Sequence, residues 1–585
     1  MPALTTTSDG FLLHGEPFRI ISGAMHYFRI HPGQWADRLR KARLMGLNTV
    51  ETYVPWNLHQ PDPDGPLVLD GILDLPRYLS LARAEGLHVL LRPGPFICGE
   101  WDGGGLPSWL TTDPDIRLRS SDPRFTDAVD RYLDLLLPPL LPHMAAAGGP
   151  VIAVQVENEY GAYGDDTTYL KHLYQSLRSR GIEELLFTCE QTDPEHLAAG
   201  SLPGTLVTGT FGSKVDQNLT RLRAHQPEGP LMCAEFWIGW FDHWGEPHHV
   251  RDAADAAADL DRLLSAGASV NIYMFHGGTN FGFTNGANHD HAYAPIVTSY
   301  DYDAPLTESG DPGPKYHAFR EVIARHAPVP DEPAPAPSRK LAPTVVELDR
   351  QAPLLPHAAR QAGRPVRTES PLTLDELGLR SGYALYRTTV PAAGDGVLHF
   401  AGGVGDRAQV FLDGAPVGVL ERERHDETLP VRVPRAGATL DVLVENMGGV
   451  NYGPRIGAPK GLLGAVTFDG TALHGWDCLP LPLNDLSGLT FEAGTAAGPA
   501  FHHGTFEVTE PADTFLSLPG WTKGQAWING FHLGRYWNRG PQRTLYVPAP
   551  VLRPGSNDLV LLELHATTSP RAHLTDTPDL GPEQR

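Results

Sequence analysis

The sequence has little cysteine, no long hydrophobic run and no excess of basic residues. Its 585 residues include only four cysteines, which excludes a disulfide framework. No two of them form a C-x-x-C pair, which argues against a structural zinc site. Acidic residues outnumber basic ones by 69 to 46, so the formal charge is −23. A chain of this charge is not expected to bind nucleic acid or an anionic membrane.

Two further absences bear on where the protein acts. No apolar run approaches the roughly 18 residues that suggest a transmembrane helix. The first residues, MPALTTTSDGFLLHGEPF, contain no basic stretch followed by an apolar stretch, which is the pattern of a secretory signal. We therefore expect a cytoplasmic protein with no membrane partner.

Glycine and proline are abundant, with 62 and 54 residues, so the chain must contain many turns. Hydrophobic residues make up 41% of the sequence, which is enough to build packed cores. A chain of this length predicts three or four domains, at roughly 100–200 residues each.

Residues 1–328 alternate short apolar runs with amphipathic stretches. Helical spacing of apolar residues predicts helices at 34–46, 75–86, 127–147 and 167–181. The apolar runs predict eight strands, at 18–24, 48–54, 88–94, 151–159, 185–190, 205–210, 230–236 and 269–275. Repeated βα units of this number predict a closed (β/α)8 TIM barrel within an α/β fold. An open doubly wound sheet is the alternative, although no G-x-G-x-x-G motif follows the first strand.

The pattern changes after a proline-rich stretch at 329–345, which we interpret as a semi-rigid linker. Beyond it, apolar and polar residues alternate in short runs separated by turn residues, which is typical of all-β sandwich or jelly-roll domains. The strand-turn sequences QVFLDG (409–414) and QAWING (525–530) are similar to each other. This similarity favours two such regions, at 346–490 and 491–585.

Carboxylate, amide and aromatic side chains follow several predicted barrel strands at their carboxyl ends, where the active sites of such barrels lie. This combination suits a sugar, because aromatic rings can pack on the apolar face of a pyranose. Two carboxyl groups in such a site can cleave a glycosidic bond. Glu157 and Glu159 point to the same side of one strand, so the residue pattern alone leaves the choice between them open.

No cofactor and no metal are predicted. The histidines in HH (248–249) and HDH (289–291) do not recur with a carboxylate in a metal-ligand pattern, so we interpret them as loop residues. The glycine-rich GGTNFG (277–282) lacks the lysine of a phosphate-binding loop.

Several long motifs, in a fixed order, give the sequence a clear resemblance to glycoside hydrolase family 35, a family of β-galactosidases. In the first half these are SGAMHY (22–27), ETYVPWN (51–57), RPGPFICGEW (92–101), GPVIAVQVENEYG (149–161) and YDYDAP (300–305). The strings GYALYRT (382–388) and GQAWING (524–530) extend the resemblance into the all-β regions.

The resemblance implies a retaining exo-β-galactosidase that removes terminal non-reducing β-D-galactose from oligosaccharides by double displacement. It implies that Glu159, which follows Asn158, is the acid/base and that Glu235 is the nucleophile. It also implies that Tyr302 lies near the nucleophile and can donate a hydrogen bond to it. Members of the family often have alanine where this chain has Gly99. The implied substrate-binding residues are Tyr53, Ile97, Cys98, Gly99, Glu100, Asn158, Tyr273 and Tyr302.

Alternatives remain at this stage for the function and for single residues. The chain could be an exo-β-glycosidase for another sugar, such as glucosamine, or a carbohydrate-binding protein without activity. Glu100 could form a buried salt bridge with Arg92 instead of binding sugar hydroxyls, and Trp240 could stack on sugar or pack in a core. Cys98 is expected to be a wall of the site, because no base is assigned to activate it.

Overall fold

The computed structural model describes residues 2–356, 358, 365–494, 498–567 and 569–584. The chain begins with a small antiparallel sheet of β1 (Leu4–Thr6), β2 (Phe11–Leu13) and β3 (Glu16–Phe18). Eight parallel strands then form a closed barrel in chain order. They are β4 (Ile21–Met25), β5 (Thr49–Tyr53), β6 (His88–Arg92), β7 (Val151–Gln155), β8 (Leu185–Gln191), β9 (Leu206–Thr210), β10 (Met232–Trp237) and β11 (Ser269–His276). The predicted TIM barrel is therefore confirmed.

Helices surround the barrel and pack their apolar faces on it. They are α1 (Trp35–Met45), α2 (Trp56–His59), α3 (Leu75–Ala84), α4 (Pro123–Leu140), α5 (Thr167–Ser179), α6 (Pro194–Gly200), α7 (Val215–His225), α8 (Ala253–Ser265) and α9 (Pro314–His326). The helix predicted at 127–147 begins earlier, because the Asp122 side chain caps its first turn by accepting from the Arg124 amide. It ends earlier as well, at Leu140, where the chain passes into short 3-10 turns.

The proline-rich linker lies against the barrel. Residues 327–343, all of them described, form neither a helix nor a continuous strand. Glu332 accepts hydrogen bonds from Arg40 and Arg43 on α1, at 3.2 and 3.1 Å. Gly46, which ends α1 with a φ of 102°, leaves room for Val329 of the linker, since a Cβ at this glycine would lie 2.6 Å from the valine.

Two short hairpin strands, β12 (Ala287–His289) and β13 (Tyr293–Pro295), lie on the barrel before the linker. Two more, β14 (Thr344–Glu347) and β15 (Arg350–Pro353), follow it. Glu347 pairs with Arg571 and Arg350 pairs with His503, so β14 and β15 belong to the last domain of the chain. The sequence prediction ended the linker at 345 and assigned residues from 346 onward to the first β region, whereas the strand pairing assigns β14 and β15 to the last domain. Alternation of polar and apolar residues is local and does not reveal a strand's partner.

The first all-β domain has a six-stranded and a four-stranded sheet packed face to face. Phe400 and Phe468 of the smaller sheet share a buried core with Tyr386 and Val442 of the larger one. The strands are β16 (Val366–Thr368), β17 (Tyr383–Val390), β18 (Gly394–Phe400), β19 (Val404–Gly405), β20 (Arg407–Leu412), β21 (Ala415–Glu421), β22 (Thr428–Val433), β23 (Ala438–Glu445), β24 (Gly461–Leu462), β25 (Val466–Phe468), β26 (Thr471–Ala472) and β27 (Trp476–Leu481).

The last domain repeats this arrangement with β14, β15 and eight further strands, again in a six-stranded and a four-stranded sheet. Those strands are β28 (Glu492–Ala493), β29 (Ala500–Val508), β30 (Thr514–Ser517), β31 (Lys523–Ile528), β32 (Phe531–Trp537), β33 (Thr544–Val547), β34 (Gly555–Glu563) and β35 (Arg571–Thr575). Leu385 and Phe411 of the first β domain pack with Phe501 and Trp527 of the last, and Phe283 of the barrel joins them. The three domains therefore share an apolar interface.

Across the described part of the chain, none of the helices has the length and the apolar content needed to cross a membrane.

Candidate active site

A cavity of about 180 Å³ opens at the carboxyl ends of the barrel strands; we call it the rim cavity. Eight of the ten site residues expected from the sequence line it, whereas Ile97 and Asn158 lie directly behind its wall. Its lining residues are Tyr53, Cys98, Gly99, Glu100, Glu159, Gln191, Glu235, Trp237, Trp240, Phe241, Tyr273, Asn288, Tyr302 and Tyr452.

Glu235, on β10, is surrounded by hydrogen-bond donors. Its Oε1 accepts from the Tyr53 hydroxyl at 2.5 Å and from Nη2 of Arg92 at 2.6 Å. Its Oε2 accepts from the Thr210 hydroxyl and from the Trp237 indole, both at 3.2 Å. A buried carboxyl that accepts four such bonds, one of them from a guanidinium, is held as the anion. The phenol expected from Tyr302 is thus supplied by Tyr53.

Glu159 follows β7 and has a different environment. Its Oε1 accepts one long hydrogen bond, from Nε2 of Gln191 at 3.3 Å. Burial raises the pKa of Glu159 to about 8, and the negative charge of Glu235 contributes to that rise. Two carboxyl groups therefore face one cavity in different environments: Glu235 lies among four donors, whereas the raised pKa of Glu159 favours its protonated form.

Glu157, the alternative that the residue pattern left open, has a structural environment. Its carboxylate forms a bidentate pair with Arg119, with Nε and Nη2 at 3.0 and 2.7 Å. It also accepts from the Tyr169 hydroxyl at 2.9 Å and from the Asn158 amide at 2.6 Å. Both carboxylate oxygens of Glu157 are thus occupied by donors inside the protein, and the residue supports the turn that carries Glu159.

Glu100 does not pair with Arg92, which was the alternative to a role in sugar binding. It accepts a short hydrogen bond from the Tyr300 hydroxyl, and its residue lines the rim cavity. Burial raises the pKa of Glu100, whereas the Tyr300 hydrogen bond and the charge of Arg29 oppose the rise. Arg92 instead lies between Glu235 and Glu51, the latter 3.6 Å from its Nη1.

Asn158 and Ile97 support the cavity from behind. The Asn158 side-chain oxygen accepts from Arg92 and from the Tyr53 hydroxyl, while its Nδ2 has no protein partner among the described residues. Because this donor is buried behind the wall, the contact of Asn158 with a sugar hydroxyl stays a prediction. Ile97 is fully buried and packs against Gly105, so its side chain shapes the wall of the cavity and does not line it.

One wall of the rim cavity consists of three segments that are distant in sequence. They are residues 98–102, 284–288 and 449–452. The Gly286 amide donates to the Glu100 carbonyl at 2.8 Å, and the Ala287 amide donates to the Gly449 carbonyl at 3.0 Å. Through this layer the first β domain contributes Tyr452 to the cavity. Tyr452 was not among the residues predicted from the sequence, because no motif near it indicates a catalytic loop.

Arg535 of the last domain ties these segments together from behind. Its Nη1 donates to the Asn285 side chain at 2.6 Å, and its Nη2 donates to the Asn446 carbonyl at 3.0 Å. Its Nε donates to Glu445 at 2.7 Å, and Lys523 pairs with the same carboxylate. All three domains therefore meet at one buried ionic cluster beside the cavity wall.

The two histidines at 248–249 share a structural partner. Asp242 accepts from His248 at 2.7 Å and from His249 at 2.9 Å. Among the residues that the structure describes, no three His, Cys, Asp or Glu side chains come together in an arrangement that could hold a metal ion.

Comparison with known proteins places the chain in a family. The family model described as "Glycosyl hydrolases family 35" matches residues 10–326. The models "Beta-galactosidase, first all-beta domain" and "Beta-galactosidase, galactose-binding domain" match residues 371–482 and 499–557.

Curated relatives align over nearly the full chain. The chain is 44% identical to "Beta-galactosidase-1-like protein" of Mus musculus, over 98% of this chain and 91% of the relative. It is 43% identical to a "Beta-galactosidase" of Xanthomonas manihotis (95% and 92% covered) and 44% identical to that of Homo sapiens (95% and 86% covered). The chain therefore belongs to the glycosyl hydrolases of family 35.

Proposed function

We propose that this protein is an exo-acting β-galactosidase that releases terminal β-galactose with retention of configuration. The observation that carries the proposal is the pair of carboxyl groups in one cavity, with Glu235 held as the anion by four donors and Glu159 left with one long hydrogen bond. The names of the relatives support galactose as the sugar.

In the first step, the Glu235 carboxylate attacks the anomeric carbon while Glu159 gives its proton to the departing glycosidic oxygen. The bond from the anomeric carbon to that oxygen breaks, and an ester to Glu235 forms. Arg92 and Tyr53 fix the attacking carboxylate through Oε1, which reduces the cost of orienting it in the transition state.

In the second step, water replaces the enzyme at the anomeric carbon. The ester has removed the charge of Glu235, and this charge contributes to the raised pKa of Glu159. Glu159 is therefore a better base in the intermediate than it was in the free enzyme. It takes a proton from the attacking water, and the carboxylate of Glu235 is restored as galactose forms.

The size of the rim cavity supports action at a chain end. Its volume of about 180 Å³ is below the roughly 300–1,000 Å³ typical of sites for drug-sized ligands. The cavity is closed on one side by the wall that carries Glu100 and Tyr452. Such a site fits a single terminal sugar ring better than the middle of a glycan chain.

A panel of aryl glycosides tests the proposed activity. We expect hydrolysis of the β-galactoside, with at most weak hydrolysis of the β-glucosaminide, and β-galactose as the first product by NMR. Release of α-galactose would contradict the retaining mechanism. Sugar binding without turnover would instead favour a binding protein on this fold.

The pH dependence of kcat/KM should show a basic limb near pH 8. Glu159 must carry its proton to act as an acid, so activity falls as pH rises through the raised pKa of this group, which is about 8. The measurement is kcat/KM for an aryl β-galactoside between pH 5 and pH 10. A profile that stays flat above pH 8 would contradict the assignment of the acid to a buried carboxyl with a raised pKa.

Trp240 should contribute to binding of the leaving group of the substrate. Its side chain lines the rim cavity although the residue is 38% exposed, and its ring packs on Phe241 with centroids 4.8 Å apart. We expect Trp240→Ala to raise KM for a galactosyl disaccharide by roughly tenfold, the equivalent of about 1.4 kcal/mol of lost contact.

Leu135 on α4 offers a matched control for Trp240, because it is another large apolar residue with 38% exposure and does not line the cavity. Leu135→Ala should leave KM unchanged. Equal effects of the two substitutions would show that Trp240 acts through stability only.

A further inference from the structure

Three ionisable groups form a buried row beneath the rim cavity. Arg92 donates to Glu235 at 2.6 Å through Nη2, and its Nη1 lies 3.6 Å from Oε1 of Glu51. All three side chains are almost completely buried. One guanidinium therefore lies between two carboxyl groups, and only one of these, Glu235, faces the substrate.

The proposed reaction changes the charge at one end of this row. When Glu235 becomes an ester, its negative charge disappears while Arg92 remains ionised. A buried guanidinium without a counter-charge is strongly disfavoured. The glycosyl-enzyme therefore needs a second negative group near Arg92, which neither Glu159 nor Glu100 supplies by a direct contact.

Glu51 has the position and the freedom to supply that charge. Its Oε2 accepts a long hydrogen bond from Nδ2 of Asn271 at 3.4 Å. Its Oε1 has no hydrogen-bond partner among the described residues. The other groups whose charge interacts with it are Arg92, Glu235 and the phenols of Tyr53 and Tyr78.

The balance of charge around Glu51 shifts in the expected direction during the reaction. Burial raises the pKa of Glu51 to about 7, Arg92 opposes this rise, and the charge of Glu235 adds to it. Loss of the charge on Glu235 removes one of the influences that disfavour the Glu51 anion. The ionised form of Glu51 is thus more stable in the intermediate than in the free enzyme.

We propose that Glu51 is a positioning residue that acts through Arg92 as the counter-charge of the glycosyl-enzyme, and thereby sets the balance between its formation and its breakdown. This inference rests on the proposed function, because it requires a covalent ester at Glu235. The bonds that form and break remain those of the double displacement described above. Glu51 changes only the relative free energies of the free enzyme and the ester.

Glu51→Gln tests the proposal, since it removes the charge and keeps the shape of the side chain. The intermediate can be accumulated with 2-deoxy-2-fluoro-β-galactosyl fluoride, and its breakdown followed as return of activity. We expect kcat/KM for an aryl galactoside to fall by on the order of tenfold, the equivalent of one pKa unit of interaction. We expect the 2-fluorogalactosyl-enzyme to break down faster than in the wild type, because its Arg92 lacks a counter-charge.

These opposite effects separate the proposed role from a structural defect, which would slow both steps. Glu51→Asp keeps the charge and should move both rates back toward those of the wild type. Glu184→Gln is the matched control, because Glu184 is a buried barrel carboxylate that accepts from the Ala146 amide and does not line the cavity.

Two results would overturn the inference while leaving the proposed function intact. In the first, both rates fall together in Glu51→Gln; in the second, neither rate changes. If the wild-type protein forms no 2-fluorogalactosyl ester at Glu235 by mass spectrometry, the proposed function itself fails, and the role of Glu51 fails with it.

Discussion

Glu235→Gln is expected to lower kcat/KM for an aryl β-galactoside by on the order of 10⁴-fold or more, the scale at which removal of a covalent nucleophile acts. The amide cannot attack the anomeric carbon, and no other carboxylate in the cavity has comparable support. The four donors that hold Glu235 would now face a neutral group. The variant should also fail to form a 2-fluorogalactosyl ester, which mass spectrometry of a peptic digest would detect.

Folding must be checked in the same experiment, because Arg92 loses one of its two carboxylate partners in this variant. Glu51 remains beside it, so we expect the protein to stay folded, with a thermal transition close to that of the wild type. Glu184→Gln should retain activity. Substantial activity of a pure, folded Glu235→Gln protein would contradict the assignment of the nucleophile.

The barrel was predictable from sequence because each of its units carries its own signal. An apolar run such as HVLLR (88–92) is buried on both sides, and this is the pattern of strands in a parallel sheet. The short helix α2 and the helices α6 to α9 were not assigned from the sequence. In α8, with the sequence AADAAADLDRLLS, two small alanines, Ala256 and Ala257, form part of the buried face beside the leucines, so a search for large apolar residues at helical spacing does not find it.

The partners of strands in the β region were not predictable. β14 and β15 follow directly on the linker but pair with strands more than 140 residues later in the chain, as Arg350 with His503 and Glu347 with Arg571 show. Alternation of polar and apolar residues establishes that a segment is a strand with one buried face. It contains no information about which of several similar edges the strand joins.

Some residues of the candidate site could be predicted from the sequence and others could not. Family motifs indicated Glu159 and Glu235, and the structure brings both to one cavity. The residue pattern could not indicate Tyr452, which belongs to another domain, or Arg535, which holds the cavity wall without reaching it. Such residues become visible only when segments separated by more than 150 positions are placed side by side.

Glu159→Gln is expected to separate substrates by their leaving groups. For a galactosyl disaccharide, whose leaving oxygen needs a proton, kcat/KM should fall by roughly 10²–10⁴-fold, the usual contribution of general acid catalysis. For 2,4-dinitrophenyl β-galactoside, whose leaving group needs no proton, kcat/KM should change little. Without a base the ester should accumulate, so kcat and KM both fall, and added azide should restore turnover by attacking the ester directly.

The neighbouring carboxylate Glu157 provides the comparison that identifies which of the two residues is the acid/base. Glu157→Gln removes the charged partner of Arg119, so it should lower the thermal stability. It should nevertheless hydrolyse both substrates as the wild type does and keep the basic limb near pH 8. In Glu159→Gln, the residual kcat/KM for the disaccharide should lack that limb, because the group whose pKa is raised to about 8 is gone. If azide instead rescued Glu157→Gln and not Glu159→Gln, the two residues would have to exchange roles, and the backbone geometry after β7 would need another explanation.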